Sequence, residues 1–152
     1  MKILMVCLGN ICRSPLAEGI MYHKIQQQGL DWEVDSAGTG YWHVGEAPDQ
    51  RSILVASKNG IDISQQKARQ FDAADLNRYD LIYAMDASNY RNIIRAANSE
   101  EQEAKVDFIL NMSRPGYNQA VPDPYYGGDQ GFEEVFRLLD EACEAIIEKY
   151  KA

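Results

Sequence analysis

The chain has 152 residues, 45% of them hydrophobic and 25% charged, with a formal net charge of −8. That length suits one domain, residues 1–152, with a real core. The negative balance argues against a general nucleic-acid binder, whose backbone affinity comes from Lys and Arg, and no apolar run approaches the roughly 20 residues of a membrane span. A phosphate site on such a chain has to be local, made of backbone N–H groups and one or two arginines. The odd number of cysteines, three, fits a reducing compartment. The opening run Lys2-Ile3-Leu4-Met5-Val6-Cys7 has no small-residue cleavage site of the signal-peptide kind, so the expected location is cytoplasmic. Cys7-x4-Cys12 is not a zinc spacing, and His23 and His43 lie in different segments, so no metal site is expected.

Along the chain, short apolar runs alternate with helical patterns, which suggests βαβ units and a parallel sheet. The first strand is Ile3–Cys7. Ser14 is a good N-cap and Pro15 suits the first helical position, so a helix should begin there. Leu16, Ala17, Ile20, Met21 and Ile25 then repeat at helical spacing, and Gly29 is a stop. A second strand spans Trp32–Ala37 and leads into the loop Gly38-Thr39-Gly40. Pro48 and Gly60 frame a helix from Asp49 to Asn59. Leu81–Ala84 is a third strand, Asp86 caps a helix running through Arg95, and Lys105–Leu110 is a fourth strand. Phe132, Val135, Phe136, Leu139, Cys143, Ile146, Ile147 and Tyr150 form the apolar stripe of the last helix. The expected fold is an open α/β sheet with helices on both faces. Such sheets bind ligands outside the carboxyl ends of their strands.

The loop after the first strand, Cys7-Leu8-Gly9-Asn10-Ile11-Cys12-Arg13-Ser14-Pro15, is therefore the first place to look for chemistry. Successive N–H groups of Leu8 to Arg13 can turn inward around an anion. The helix N-terminus adds positive potential at the same spot, and Arg13 adds a two-pronged guanidinium. Gly9 and Asn10 tolerate the unusual dihedrals of so tight a curve. Cys7 stands where these donors converge, so a thiolate is stabilised there as a phosphate would be, and the Ser14 hydroxyl can donate to it. Cys7 becomes a nucleophile aimed at phosphorus. A structural cysteine at a strand end would leave Gly9, Arg13, Ser14 and Pro15 unexplained.

A second segment, Val121-Pro122-Asp123-Pro124-Tyr125-Tyr126-Gly127-Gly128, sets one carboxylate between two stiffening prolines. Asp123 suits a general acid that protonates a departing phenolate, and Tyr125 and Tyr126 suit aromatic walls. Taken alone, the segment also reads as an ordinary Asp-Pro turn.

These two segments, together with Ala17-Glu18, Asp35-Ser36-Ala37-Gly38-Thr39, Ala68-Arg69-Gln70 and Ala84-Met85-Asp86, resemble the low-molecular-weight protein-tyrosine phosphatase family over nearly the whole chain. The resemblance implies a four-stranded parallel sheet, a cysteinyl-phosphate intermediate and no cofactor. It implies phosphotyrosine proteins as substrates, a cognate tyrosine kinase as a partner and inorganic phosphate as product. By it, Cys7 attacks, Arg13 binds the phosphoryl group, and Asp123 serves as acid and then as base. Leu8, Gly9, Asn10, Ile11, Cys12 and Ser14 form the phosphate loop, Asp86 orients Arg13, and Ser36 supports the site. Trp42 matches a variable aromatic on the pocket rim, a partly exposed core aromatic being the other reading. Many relatives carry a histidine before the Ala-Arg-Gln triplet. Here the residues are Gln65-Gln66-Lys67, and a glutamine can still hydrogen-bond to Asn10. Cys7 and Cys12 also suit a reversible disulfide, unless Cys12 is merely a small loop residue.

Three rivals share parts of this pattern. An arsenate reductase of the same architecture needs further cysteines in a mobile loop, whereas Cys143 lies on a helical stripe. A phosphoarginine phosphatase is disfavoured by the apolar Ile11 and the tyrosine pair. A phosphopeptide-binding module would be expected to lack the nucleophile or the acid.

Overall fold

The computed structural model describes residues 1–124 and 128–151. Tyr125 and Tyr126, the expected aromatic walls, lie outside the described residues. Four strands, β1 (Lys2–Cys7), β2 (Glu33–Gly38), β3 (Leu81–Ala84) and β4 (Val106–Phe108), form one parallel sheet in the order β2-β1-β3-β4. The chain passes from β1 to β2 on one side and returns to β3 on the other. The order therefore reverses at β1, and the crevice at its carboxyl end is open to a ligand.

Alternate residues of β1 face opposite layers. Ile3, Met5 and Cys7 pack with α1 (Arg13–Gln28), α2 (Gln50–Lys58) and α6 (Gly128–Tyr150). Leu4 and Val6 pack on the other face with Leu76 of α3 (Asp75–Arg78) and Ile93 of α4 (Ala87–Ala96). A further short helix, α5 (Glu100–Ala104), leads into β4. Phe132, Val135, Leu139, Cys143, Ile146 and Ile147 are all buried, so the predicted stripe of α6 is its core face. Burying such large side chains contributes about 1.5–3 kcal/mol each. Among the described residues no helix is long and apolar enough to cross a membrane.

The helix ends follow their residues. Gly29 closes α1 at φ 64°, in the left-handed region. Asp49 and Asp86 cap α2 and α4 by accepting from the N–H of Arg51 and Asn89. Ser14 does not cap α1. That helix starts at Arg13 with Cys12 as its N-cap and no side-chain cap bond. The Ser14 hydroxyl instead faces Cys7 and Asn10, and Pro15 falls in the first turn, where a missing N–H costs no intrahelical bond. The fourth strand is shorter than predicted, because Ile109–Asn111 winds into a 3-10 turn. A six-residue run with a mostly apolar end holds too little periodicity to tell strand from helix.

Candidate active site

The segment after β1 curls into a cradle because its carbonyls are fastened on the outside. Cys7 O accepts from Thr39 N at 2.9 Å, Leu8 O from Gly40 N at 2.8 Å, and Ile11 O from Asp49 N at 2.8 Å. A trans peptide points its C=O and the following N–H in opposite directions, which turns the N–H groups of Leu8, Gly9 and Cys12 to the concave side. The outer support comes close: a Cβ on Gly38 would stand 2.7 Å from Leu8 O, so only glycine fits there. Within the loop the left-handed residue is Asn10, at φ 58°. Gly9 does not supply the unusual dihedral expected of it. Its missing side chain leaves room for His43, whose ring carbon would lie 3.0 Å from a Cβ.

Cys7 is 2% exposed. Its Sγ lies 3.0 Å from Ser14 Oγ and accepts from Asn10 N at 3.3 Å. Asn10 Oδ1 accepts from the backbone N–H of Arg69 at 3.0 Å, which identifies Nδ2 as the donor to Ser14 Oγ at 2.7 Å. Having accepted there, Ser14 has its own proton free for Cys7. Gln66 does not support Asn10. Its Nε2 donates to Pro15 O at 3.1 Å, and the Arg69 backbone takes the place beside the asparagine because the Ala68-Arg69-Gln70 segment runs alongside Gly38. Gln65 Nε2 donates to its neighbour Ser64 Oγ at 3.5 Å.

Arg13 stands at the first position of α1 and is 4% exposed. Its Nη1 donates to Asp86 Oδ2 at 2.9 Å and to Val121 O at 3.0 Å. Asp86 thus works twice, since its Oδ1 also caps α4 by accepting from Asn89 N at 2.8 Å. Nη2 of Arg13 lies 3.9 Å from Asp123 Oδ2. The Asp123 side chain is 45% exposed. Cys7, Leu8, Gly9, Ile11, Cys12, Arg13, Trp42, His43 and Asp123 line one cavity of about 210 Å³. Trp42, 62% exposed, stacks on Tyr41 with ring centroids 5.5 Å apart, so it belongs to the rim and not to the core.

His43 joins this cavity although its residue type suggested only an imidazole without partners. Its Nδ1 is 3.0 Å from Glu46 Oε2. Its place next to Trp42, in a loop bounded by Gly40 and Gly45, was the available signal. Cys12 is buried beside the cavity, and burial, with the Asp49 carboxylate next, pushes its thiol up to about 12. Cys143 is fully buried on α6 near Ala17 O, a packed core thiol whose ionisation burial opposes. Among the described residues no three His, Cys, Asp or Glu side chains cluster as metal ligands.

A thiol ringed by inward N–H groups, a buried guanidinium held by a carboxylate, and an exposed second carboxylate form a geometry that known proteins share. The family described as low molecular weight phosphotyrosine protein phosphatase matches residues 2–152. The enzyme of that name from Schizosaccharomyces pombe is 43% identical over 143 residues, covering 91% of this chain and 90% of its own. The crystal structure of a protein tyrosine phosphatase from Entamoeba histolytica, with Hepes in its active site, superposes with a TM-score of 0.93 at 38% identity, covering 99% of this chain and 97% of that one. A Drosophila arginine phosphatase superposes at 0.92 with 33% identity, covering 100% and 99%. The chain belongs to the low molecular weight phosphotyrosine protein phosphatase family.

Proposed function

We propose that this chain hydrolyses phosphotyrosine in proteins, an aryl phosphate monoester, through a cysteinyl-phosphate intermediate. One observation carries the reading: Cys7 Sγ, the Arg13 guanidinium and the Asp123 carboxylate face a single cavity with Trp42 at its rim. The Cys7 thiolate attacks phosphorus in line, forming an S–P bond as the P–O bond to the phenol breaks. Charge on the three equatorial oxygens is held by the N–H groups of residues 8–13 and by Arg13. Asp123 gives its proton to the leaving phenolate. It then takes a proton from the water that attacks the phosphocysteine, releasing inorganic phosphate and the thiolate, which Ser14 receives as a donor. Leu8, Gly9, Asn10, Ile11, Cys12 and Ser14 shape the cradle, Asp86 aims Arg13, and Ser36 braces Asn10. By residue type Tyr125 and Tyr126, which lie outside the described residues, suit the aromatic walls of the pocket. The reaction needs no cofactor. The substrates are cytoplasmic phosphotyrosine proteins, a cognate tyrosine kinase among them.

The apolar Ile11 in the cavity lining favours an aromatic ring over a guanidinium as the leaving group, despite the likeness to an arginine phosphatase. Turnover of a phosphotyrosine peptide, p-nitrophenyl phosphate, phosphoarginine and arsenate by the wild type tests this. The expected order places the aryl esters first. Faster hydrolysis of phosphoarginine would overturn the assignment.

Redox protection belongs to the same proposal. Peroxide converts the Cys7 thiolate to a sulfenic acid; Cys12 attacks that sulfur, the disulfide forms, and water leaves. Because burial keeps Cys12 a thiol, its attack should speed up as pH rises toward about 12. Mass spectrometry of peroxide-treated protein should show the Cys7–Cys12 crosslink. Exclusive over-oxidation of Cys7 would leave Cys12 no redox part.

A further inference from the structure

We propose that Gly40 is a positioning residue for the aryl part of the substrate: by carrying no side chain, it lets the Trp42 indole stand as a fixed wall at the cavity mouth. The inference deepens the phosphatase reading and rests on it. A Cβ on Gly40 would overlap that indole, 2.9 Å from Cη2 and nearer still to Cζ3 and Cε3. A side chain at position 40 and the present place of the ring therefore exclude each other. The backbone does not itself ask for glycine here. Positive φ among the described glycines belongs to Gly29, Gly45, Gly60 and Gly116, and Gly40 is not among them. The ring of Trp42, and not the turn of the chain, is what forbids a Cβ.

Of the two, the ring is the part that can give. The backbone is tied on both sides of Trp42. Before it, Gly38 N donates to Arg69 O at 2.9 Å, Thr39 N to Cys7 O at 2.9 Å and Gly40 N to Leu8 O at 2.8 Å. After it, Gly45 N donates to Ala68 O and Ala68 N to Glu46 O, each at 2.8 Å. The indole is held by less. It stacks on Tyr41 with ring centroids 5.5 Å apart and planes 19° from parallel, and Trp42 is 62% exposed. The Tyr41 ring and the bare backbone of Gly40 thus keep an exposed aromatic in one place. Without them it would sample other rotamers and would have to be ordered by the ligand, at a cost in affinity. Held as it is, it forms a wall before any aryl group arrives. Trp42 shares the cavity lining with the apolar Leu8 and Ile11, while Arg13 and the loop N–H groups face the phosphoryl group. Gly40 therefore acts on the aryl part of the substrate and leaves the phosphate alone.

The test compares wild type, Gly40→Ala, Trp42→Ala and the double variant. Alanine keeps the N–H that ties Leu8 O, and the displaced ring has solvent to move into, so Tm should change little. Calorimetric titration with benzylphosphonate, an aryl ligand that is not hydrolysed, should show Gly40→Ala weakened about three- to tenfold, the scale of one aromatic contact. Inorganic phosphate should bind within about twofold of wild type, and KM for p-nitrophenyl phosphate and for a phosphotyrosine peptide should rise while kcat stays within about twofold, the mark of a contact made equally in ground and transition states. The double variant should equal Trp42→Ala, because the effect of Gly40 runs through that ring alone. Unchanged benzylphosphonate affinity in Gly40→Ala would overturn the proposal. So would an equal loss for phosphate, which would tie Gly40 to the phosphate loop through Leu8, or a loss that persists when Trp42 is already alanine. If the wild type binds benzylphosphonate but does not turn over aryl phosphate, the phosphatase reading fails, while the two titrations still decide the role of Gly40.

Discussion

The two halves of the site are built on opposite terms. The phosphate loop is buried and over-determined. Ser14, whose hydroxyl bonds to Cys7, is held in turn by Asn10, and the loop's backbone is tied from outside by Thr39, Gly40 and Asp49. Asp123 stands 45% exposed between two prolines, with the Arg13 guanidinium 3.9 Å away. The difference fits the chemistry proposed for each half. A nucleophile and an anion cradle gain most from donors fixed before the substrate arrives. An acid that must later handle water needs access to it.

That contrast is broken most severely at its buried end. Cys7→Ser should lose at least about 10⁴-fold in turnover, the scale of removing a covalent nucleophile, while still binding phosphate or vanadate through the intact cradle. Calorimetric titration of vanadate checks this, and a variant that neither turns over nor binds would mean that the thiol holds the loop together. At the exposed end, Asp123→Ala should slow phosphoenzyme formation about 10²–10⁴-fold for phenols of high pKa and far less for activated ones. Rapid-quench measurement across a graded series of phenols decides it, and an equal loss for all would remove Asp123 as the acid.

Asp86 joins the halves and sharpens the comparison. Asp86→Asn keeps an oxygen to cap α4 but weakens the bond to Arg13 Nη1. A hydrogen bond to a charged group contributes about 1.5–3 kcal/mol, so phosphate affinity should fall roughly tenfold while Tm changes little. A collapse in Tm with unchanged phosphate affinity would make Asp86 a cap alone. The smallest effect concerns what the buried half costs the fold. The Glu18 carboxyl is raised from its ordinary 4.5 to about 7 by burial, so its contribution to stability is complete below about 4.5 and is lost as pH rises through about 7. Glu18→Gln should therefore melt with wild type near pH 4.5 and a few degrees above it at pH 8. Thermal melts at the two pH values measure the gap, and a gap independent of pH would contradict the shift.

Much of this was legible in residues near one another in sequence. The strand of continuous apolar residues ending in Cys7, the Arg13 six positions later, and the helix ends at Gly29, Asp49 and Asp86 all depend on local geometry that a window of a few residues contains. The aromatic rim was half legible: Trp42 was found through its resemblance to a family position, and His43 was passed over because a lone imidazole carries no partner in the sequence. Ser14 misled because a serine before a proline is a good cap in isolation, yet Asn10 and Cys7 compete for its hydroxyl once the loop closes. The short helices α3 and α5 escaped because four or five residues hold too little periodicity to register.

By itself the sequence determined the fold class, and it pointed to Cys7 and Arg13 by residue type and spacing along one strand–loop–helix unit and to Asp123 by the two prolines that flank it. Only the tertiary structure decided which residues hold them. Arg69 took the support of Asn10 that Gln65 or Gln66 was able by residue type to give, and Gly38 rather than Gly9 became the glycine that the loop cannot do without. Glu18 entered the site through Ser36 on a neighbouring strand. These are contacts between segments far apart in the chain, and the strand order that brings β2 beside β1 makes them possible. Hydrogen-bond partners across such a sheet are chosen by where backbones pack, which no local pattern of residues records.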